Sequence, residues 1–315
     1  MTTIRMLFSL AACKYWKLWQ LDVKNSFLYG ELDRDIFMEQ PMGFVSKTFP
    51  VMSIVSRRLY SSLFVKKTSS GNTMLLLCVD DMIITGDDSV EIHHLQDALF
   101  LRFEMKKLGE VNCFLGLEVK RTYGYFVPQR GYVARLLDRF GMSESNAMTT
   151  PIEPGLKLTK DRGKKLEDAT LFCQLVGSLF YLTITRPDIS YSVGVISQFM
   201  TEPHDSHFVA AKRILRYVKG TLNLGLLYKP CAPFLLNGFV DADWARDVND
   251  RRSTTGYCFN IGSAAISWCS KKQSTVALSS CEAEYVASTM ATQECIWLKQ
   301  LITEMLNVVD YLVPI

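Results

Sequence analysis

A mixed α+β architecture is predicted for this chain by three observations. Its 315 residues, 48% hydrophobic and 21% charged, hold enough apolar material for a core in each of about two domains of ~150 residues. An apolar run Thr73 to Val79, the pair Asp80-Asp81, and a second run Met82 to Thr85, bracketed by Gly71-Asn72 and Gly86-Asp87-Asp88, make the pattern of a β-hairpin tipped by two aspartates. The last third reads as three strand-like segments and then one long helix, a small α+β unit of its own. Wholesale disorder is excluded, since disordered chains lack the apolar side chains that offset ordering entropy.

The elements follow in order. Met6 to Ala12 is apolar, follows Arg5 and ends in Leu10-Ala11-Ala12-Cys13. That outline imitates a leader cleavage box, but one positive charge and so short a run are meagre for a signal peptide. Lys14, Trp16, Lys17 and Trp19 continue it as an amphipathic helix entering a strand. No stretch approaches the ~18 apolar residues of a spanning helix, so no membrane and an intracellular location, cytoplasm or nucleus, are expected. Leu18 to Val23 is a strand carrying Asp22, and the chain turns helical near Lys24 to Phe27. Residues 91–107 and 131–140 have the spacing of amphipathic helices, while 149–165, with two prolines and two glycines, reads as a linker and places a boundary near 150.

His207 to Gly220 is a helix by pattern, with Phe208, Ala211, Leu215 and Val218 on one face and Lys212, Arg216 and Lys219 on another. The basic stripe suits either a phosphate backbone or an ordinary solvated face. After a loop at 230–233 come strands Leu235 to Ala242, Thr254 to Ile261 and Ala264 to Trp268. A helix then starts near Ser279, where Ser279 and Glu282 fit a capping box, and runs toward Met305.

Nine scattered cysteines contain no Cys-x-x-Cys pair, which fits a reducing compartment and no zinc site. His204 and His207, in a polar stretch, read as a loop and helix start rather than as ligands. Charge is uneven: 10 basic and 10 acidic residues over 1–95, 19 and 13 over 96–230, and 6 and 9 over 231–315. A basic centre flanked by carboxylates suits a polyanion handled with metal ions.

The chemistry starts from Asp80 and Asp81. Adjacent carboxylates raise each other's pKa unless a cation is present. If the Leu18–Val23 strand lies beside the hairpin, Asp22 joins them, and three carboxylates can hold two Mg²⁺ (or Mn²⁺) ions roughly 4 Å apart, the arrangement of phosphoryl transfer. A solvated turn with an unrelated Asp22 is the other reading of the same residues.

Longer strings narrow the choice. Leu21-Asp22-Val23-Lys24-Asn25-Ser26-Phe27-Leu28, Ile36 to Phe44, Cys78-Val79-Asp80-Asp81-Met82 and Phe114-Leu115-Gly116-Leu117-Glu118-Val119 resemble the reverse transcriptase of copia-type LTR retrotransposons. So do Gln174 to Leu179, Thr185-Arg186-Pro187-Asp188-Ile189 and Arg213 to Gly220. The tail, with Val240 to Ala245, Arg252 to Tyr257 and Ser280-Cys281-Glu282-Ala283-Glu284-Tyr285, resembles the ribonuclease H domain of the same polyprotein.

The resemblance implies a polymerase palm remnant with its β-hairpin over 1–95, a helical thumb and connection over 96–230, and a partial ribonuclease H-like α/β domain over 231–315. It implies Asp22 and Asp80, with Asp81 beside them, as metal-binding carboxylates of the palm. Phe27 falls where the family sets a ring under the nucleotide sugar, and Asp241 and Glu284 are the first two ribonuclease H carboxylates. Asp243 shares a strand side with Asp241, which motif position ranks first. The implied partners are an RNA template, a DNA primer, the RNA–DNA hybrid and deoxynucleoside triphosphates.

Two departures temper the implied activity. Between Phe44 and Ser61 the family carries a longer block with a palm helix, whereas Val45 to Tyr60 match nothing in it. One sheet face would lose several buried side chains, each worth about 1.5–3 kcal/mol. The family's fingers precede Met1, and its third ribonuclease H carboxylate follows the last residues here; Asp310 is not that residue. The expectation is therefore an inactive ribonuclease H part. For the whole chain there are two readings: a working RNA-directed DNA polymerase, or a catalytically inactive remnant retaining nucleic-acid affinity through Lys212, Arg216 and Lys219.

Overall fold

The computed structural model describes residues 1–24, 37–39, 51–53, 62–161, 163–230, 234–306 and 313–314. In chain order these form α1 (Thr2–Cys13), β1 (Trp19–Val23), β2 (Phe37–Glu39), β3 (Val51–Ser53), β4 (Ser62–Lys67), β5 (Asn72–Cys78), β6 (Asp81–Gly86), α2 (Ser89–Arg102) and β7 (Met105–Glu110). Then come β8 (Cys113–Phe114), β9 (Leu117–Glu118), β10 (Lys120–Arg121), β11 (Tyr125–Val127), α3 (Arg130–Arg139), α4 (Thr170–Leu182), α5 (Ser190–Ser197), α6 (Asp205–Gly220) and β12 (Leu226–Tyr228). β13 (Leu236–Asp243), β14 (Thr254–Ile261), β15 (Ala264–Lys272) and α7 (Ser280–Leu306) complete the mixed α+β set. Contacts divide the chain into two compact units, Trp16–Leu115 and Met1–Tyr15 together with Gly116–Ile315. These units cut across the segments 1–95, 96–230 and 231–315: residues 96–115 stand with the hairpin, and α1 stands with the C-terminal part.

In the Trp16–Leu115 unit the sheet order is β4-β5-β6-β1-β7, with every neighbouring pair antiparallel. The hairpin and the strand carrying Asp22 are therefore neighbours, as the alternation of apolar residues requires when both bury the same face. Leu21, Val23, Met82, Ile84 and Met105 meet Ile92 of α2 in one core, with Leu95, Leu99 and Phe100 packed against it. On the other face Met74, Leu76 and Ile83 are also buried. Neither face is bare at its centre, contrary to the expectation drawn from the missing block; most of Val45 to Tyr60 lies outside the described residues, with only β3 described there.

α2 begins at Asp88, whose carboxylate accepts from Glu91 N–H, Thr68 Oγ1 and Ser70 Oγ, an N-cap that satisfies an otherwise orphaned donor. The helix was expected to run to 107 but ends at Arg102, where Phe103 turns extended. Residues 105–110 become β7 because pairing with β1 and burial of Met105 outweigh a locally helical pattern.

In the other unit, α3 to α6 share a core that includes Phe172, Leu175, Leu179, Val193, Ile196, Ile214 and Leu215. β13-β14-β15 form an antiparallel sheet. α7 covers one face of it with a stripe of small and apolar residues, Ala283, Ala287, Ala291, Cys295, Leu298 and Ile302, spaced as one helix face demands. α1 is buried from Ile4 to Ala12, not merely on one side. Its Arg5 donates to the carbonyls of Ile266 (3.1 Å) and Ile184 (2.7 Å) and lies over the Trp268 ring; burial draws that guanidinium down to about 10. His204 caps α6, its N–H donating to His207 Nδ1 at 3.0 Å, while His207 Nε2 lies 3.1 Å from Thr159 O. The histidine pair is a helix start, as the sequence predicts.

Candidate active site

β5 and β6 close through the two-residue turn Val79-Asp80, since Cys78 pairs with Asp81. Val79 sits at φ +57, a left-handed conformation costly for a β-branched residue, and strain of this kind gathers at functional turns. β1 runs beside β6 in a register that sets Asp22 directly opposite Asp81. Directly opposed residues share a face with Cβ atoms roughly 4.5–5.5 Å apart. The carbonyl of Asp80 accepts from Val23 N–H at 3.0 Å, tying the turn to the end of β1.

Three half-buried carboxylates thus lie at one end of the sheet. On the far side of β1, Lys106 of β7 is the register partner of Asp22. Burial raises the Asp81 carboxyl above its ordinary range, and the negative charges of Asp22 and Asp80 push the same way. Donation from Gln20 and from the Leu115 N–H opposes them. Hard oxygen donors of like charge held close together suit a divalent cation. The structure brings Asp22 and Asp81 together as a pair; among the described residues no group of three or more His, Cys, Asp or Glu converges tightly enough to hold a metal ion. Phe27 lies outside the described residues.

The second carboxylate set is arranged differently. Asp241 pairs with Gly256 and Asp243 with Thr254 across β13 and β14, so the two aspartates share a side. Thr255, on the opposite side, accepts from Gln273 Nε2, which also donates to Ala283 O of α7. Strand alternation therefore points Asp241 and Asp243 away from α7, the helix that carries the exposed Glu284. They line a cavity of about 750 Å³ with Tyr191, Arg246, Cys258 and Trp268. Burial lifts the Asp243 carboxyl, partly offset by the Thr254 N–H that it accepts and by the charge of Arg246, while Asp241 adds an upward push.

The basic residues of α6 are largely engaged within the unit. Lys219 Nζ donates to Ser143 O and Ser145 O, Arg216 Nε to Asn146 O (2.7 Å), and Lys212 Nζ lies 4.5 Å from the Phe208 ring centre. Sequence spacing shows the stripe but not these carbonyls, which come from a loop some seventy residues earlier. Reasoning from the sequence also missed Arg186. It is 3% exposed, bonds both Asp188 oxygens (2.9 and 2.7 Å) and donates to Thr221 O and Oγ1. Burial would raise Asp188, but Arg186 and the Tyr217 hydroxyl outweigh it and hold the carboxyl below its usual range.

The chain carries a reverse transcriptase-like domain: the family profile described as reverse transcriptase (RNA-dependent DNA polymerase) matches residues 51–154. That span holds Asp80 and Asp81. The retrovirus-related Pol polyprotein from transposon RE1 of Arabidopsis thaliana is 40% identical over 96% of this chain and 23% of its own length. The corresponding polyprotein from transposon TNT 1-94 of Nicotiana tabacum is 37% identical over 97% of this chain and 26% of its own length. An uncharacterized mitochondrial protein of Arabidopsis thaliana is 42% identical over 71% of this chain and 93% of its length. The chain belongs to the copia-type family of retrovirus-related Pol polyproteins from transposons, and spans about a quarter of the length of the polyproteins it matches. Reverse transcriptases generally use divalent metals. No helix among the described residues is long and apolar enough to cross a membrane.

Proposed function

We propose that the Trp16–Leu115 unit is the palm of an RNA-directed DNA polymerase, with Asp22, Asp80 and Asp81 as the carboxylates that bind a divalent cation, Mg²⁺ or Mn²⁺. The single observation that carries this reading is the register of Asp22 opposite Asp81, one residue from the strained turn that holds Asp80. A bound cation supplies Lewis-acid stabilisation of phosphate oxygens. The chain's own contribution is to hold oxygen donors together against their repulsion, Asp22 and Asp81 on paired strands and Asp80 in the tight turn just before Asp81, so that they need little reorganisation. Phe27 is assigned to crowd a 2′-hydroxyl and so favour deoxynucleotides. The implied substrates are an RNA template, a DNA primer and deoxynucleoside triphosphates.

For 231–315 the resemblance implies a ribonuclease H-like part with Asp241 and Glu284 that is inactive; a folded chain that leaves the RNA strand of an RNA–DNA hybrid intact supports this, and cleavage overturns it. The polymerase reading is tested by RNA-templated primer extension in Mg²⁺ and in Mn²⁺, beside an Asp80→Asn, Asp81→Asn double variant, with both proteins checked for folding. Extension by the parent and a loss of about 10³-fold or more in the variant supports it. A folded parent that does not extend overturns it in favour of an inactive remnant, whose binding to nucleic acid would fall steeply with salt and need no Mg²⁺.

A further inference from the structure

Gln20 stands on β1 two residues before Asp22, and strand alternation puts both on one sheet face. Its side chain is buried, 5% exposed, and Nε2 donates to Oδ1 of Asp81 at 3.3 Å. An aliphatic side chain would fill a buried strand position without a polar group to satisfy, so the amide at this place calls for a reason beyond packing. A second donor reaches the same carboxylate from another element, the backbone N–H of Leu115. Leu115 is held at φ +50, a conformation that non-glycine residues keep only where the surroundings impose it. Two donors from different parts of the chain thus converge on Asp81, while Asp22 faces it across the strands and Lys106 flanks Asp22 on the other side.

We propose that Gln20 is a positioning residue: together with the Leu115 N–H it holds the Asp81 carboxylate in one orientation opposite Asp22, so that the pair has less reorganisation to make when a divalent cation binds. The inference rests on the polymerase reading above and extends it to a residue that touches neither substrate nor cation. Partners that orient a ligating group change affinity or rate by roughly 10–100-fold when removed.

The test uses the full chain. Mn²⁺ affinity is measured by electron paramagnetic resonance without nucleic acid, and kcat and KM for a deoxynucleoside triphosphate are measured in primer extension, for the parent, Gln20→Leu and Gln20→Met. Methionine keeps the length of the side chain without its N–H donors, so it decides the matter if the leucine variant does not fold. The expected result is Mn²⁺ affinity weaker by about tenfold and kcat lower by about tenfold, with KM changed less than about twofold. Folded variants whose Mn²⁺ affinity stays within about twofold of the parent overturn the proposal. A parent that binds Mn²⁺ but extends no primer sinks the polymerase reading alone, and the affinity comparison still decides the role of Gln20. A parent that binds no Mn²⁺ overturns both.

Discussion

The two pairs of carboxylates in this molecule are built from similar sequence and end in different electrostatic states. Asp241 and Asp243 are two residues apart on one strand; Asp243 accepts a backbone N–H from Thr254 and has Arg246 close by. Asp22 and Asp81 come from different strands and are forced face to face by register, with a third carboxylate next in the chain. Their partners in the fold are Lys106, opposite Asp22 on β7, and two neutral donors to Asp81. The protein supplies a positive charge near each pair but places it differently: Arg246 acts on Asp243 itself, whereas Lys106 stands opposite Asp22 and the charges acting on Asp81 are both negative. A pair that the fold holds in repulsion asks for a cation from outside, and that contrast, more than the count of acids, marks the hairpin as the candidate site.

Perturbing either side breaks or sharpens the contrast. The largest effect expected is the loss of extension in the Asp80→Asn, Asp81→Asn protein. Next comes Arg186, itself buried, which holds the partly exposed Asp188 in a bidentate pair. Arg186→Met removes both charge-assisted bonds to Asp188 and the two bonds to Thr221, and should lower stability by about 1.5–3 kcal/mol, read from chemical denaturation. A loss below about 1 kcal/mol would mean that Tyr217 alone holds Asp188.

Asp81→Asn by itself should do the opposite. It removes one of two like charges placed directly across a strand pair while keeping an oxygen for Gln20, and should raise stability by about 0.2–1 kcal/mol at pH 7. No gain, or a loss, would show that the repulsion between Asp22 and Asp81 is already relieved in the folded protein.

The smallest effect is confined to acid. Burial lowers the pKa of His207, whose Nδ1 accepts the His204 N–H at the start of α6. The unfolded chain takes up that proton near the ordinary histidine value of about 6.5, the folded chain only at lower pH. Stability is therefore complete above that value and falls as pH drops through the window between the two. Thermal midpoints between pH 7.5 and 5 should decline, and His207→Gln should flatten the decline; an unchanged slope in that variant would place the acid sensitivity elsewhere.

Much of the fold was legible before any coordinates. The hairpin at 72–86, the strand carrying Asp22, the helices at 130–139 and 205–220 and the three strands and helix of the tail all show their period in the sequence. What escaped has physical causes. Met105 to Glu110 has no alternation to betray a strand and becomes one only by pairing with β1. α1 reads as an amphipathic helix beside the next strand, yet it is buried all round and its Arg5 is consumed by carbonyls at 184 and 266, too far along the chain for any local pattern to show. The same distance hides the engagement of Arg216 and Lys219 with the 143–146 loop.

The sequence by itself determined the periodicities, the family and the positions of the acids, because side-chain period and residue type are local properties of the chain. Only the tertiary structure decided which acids oppose each other, that Gln20 and Leu115 serve Asp81, and that Asp241 turns away from the helix bearing Glu284. Register and strand order fix these. They are chosen by the burial of whole sheet faces, where a slip of one residue would turn every side chain to the other side.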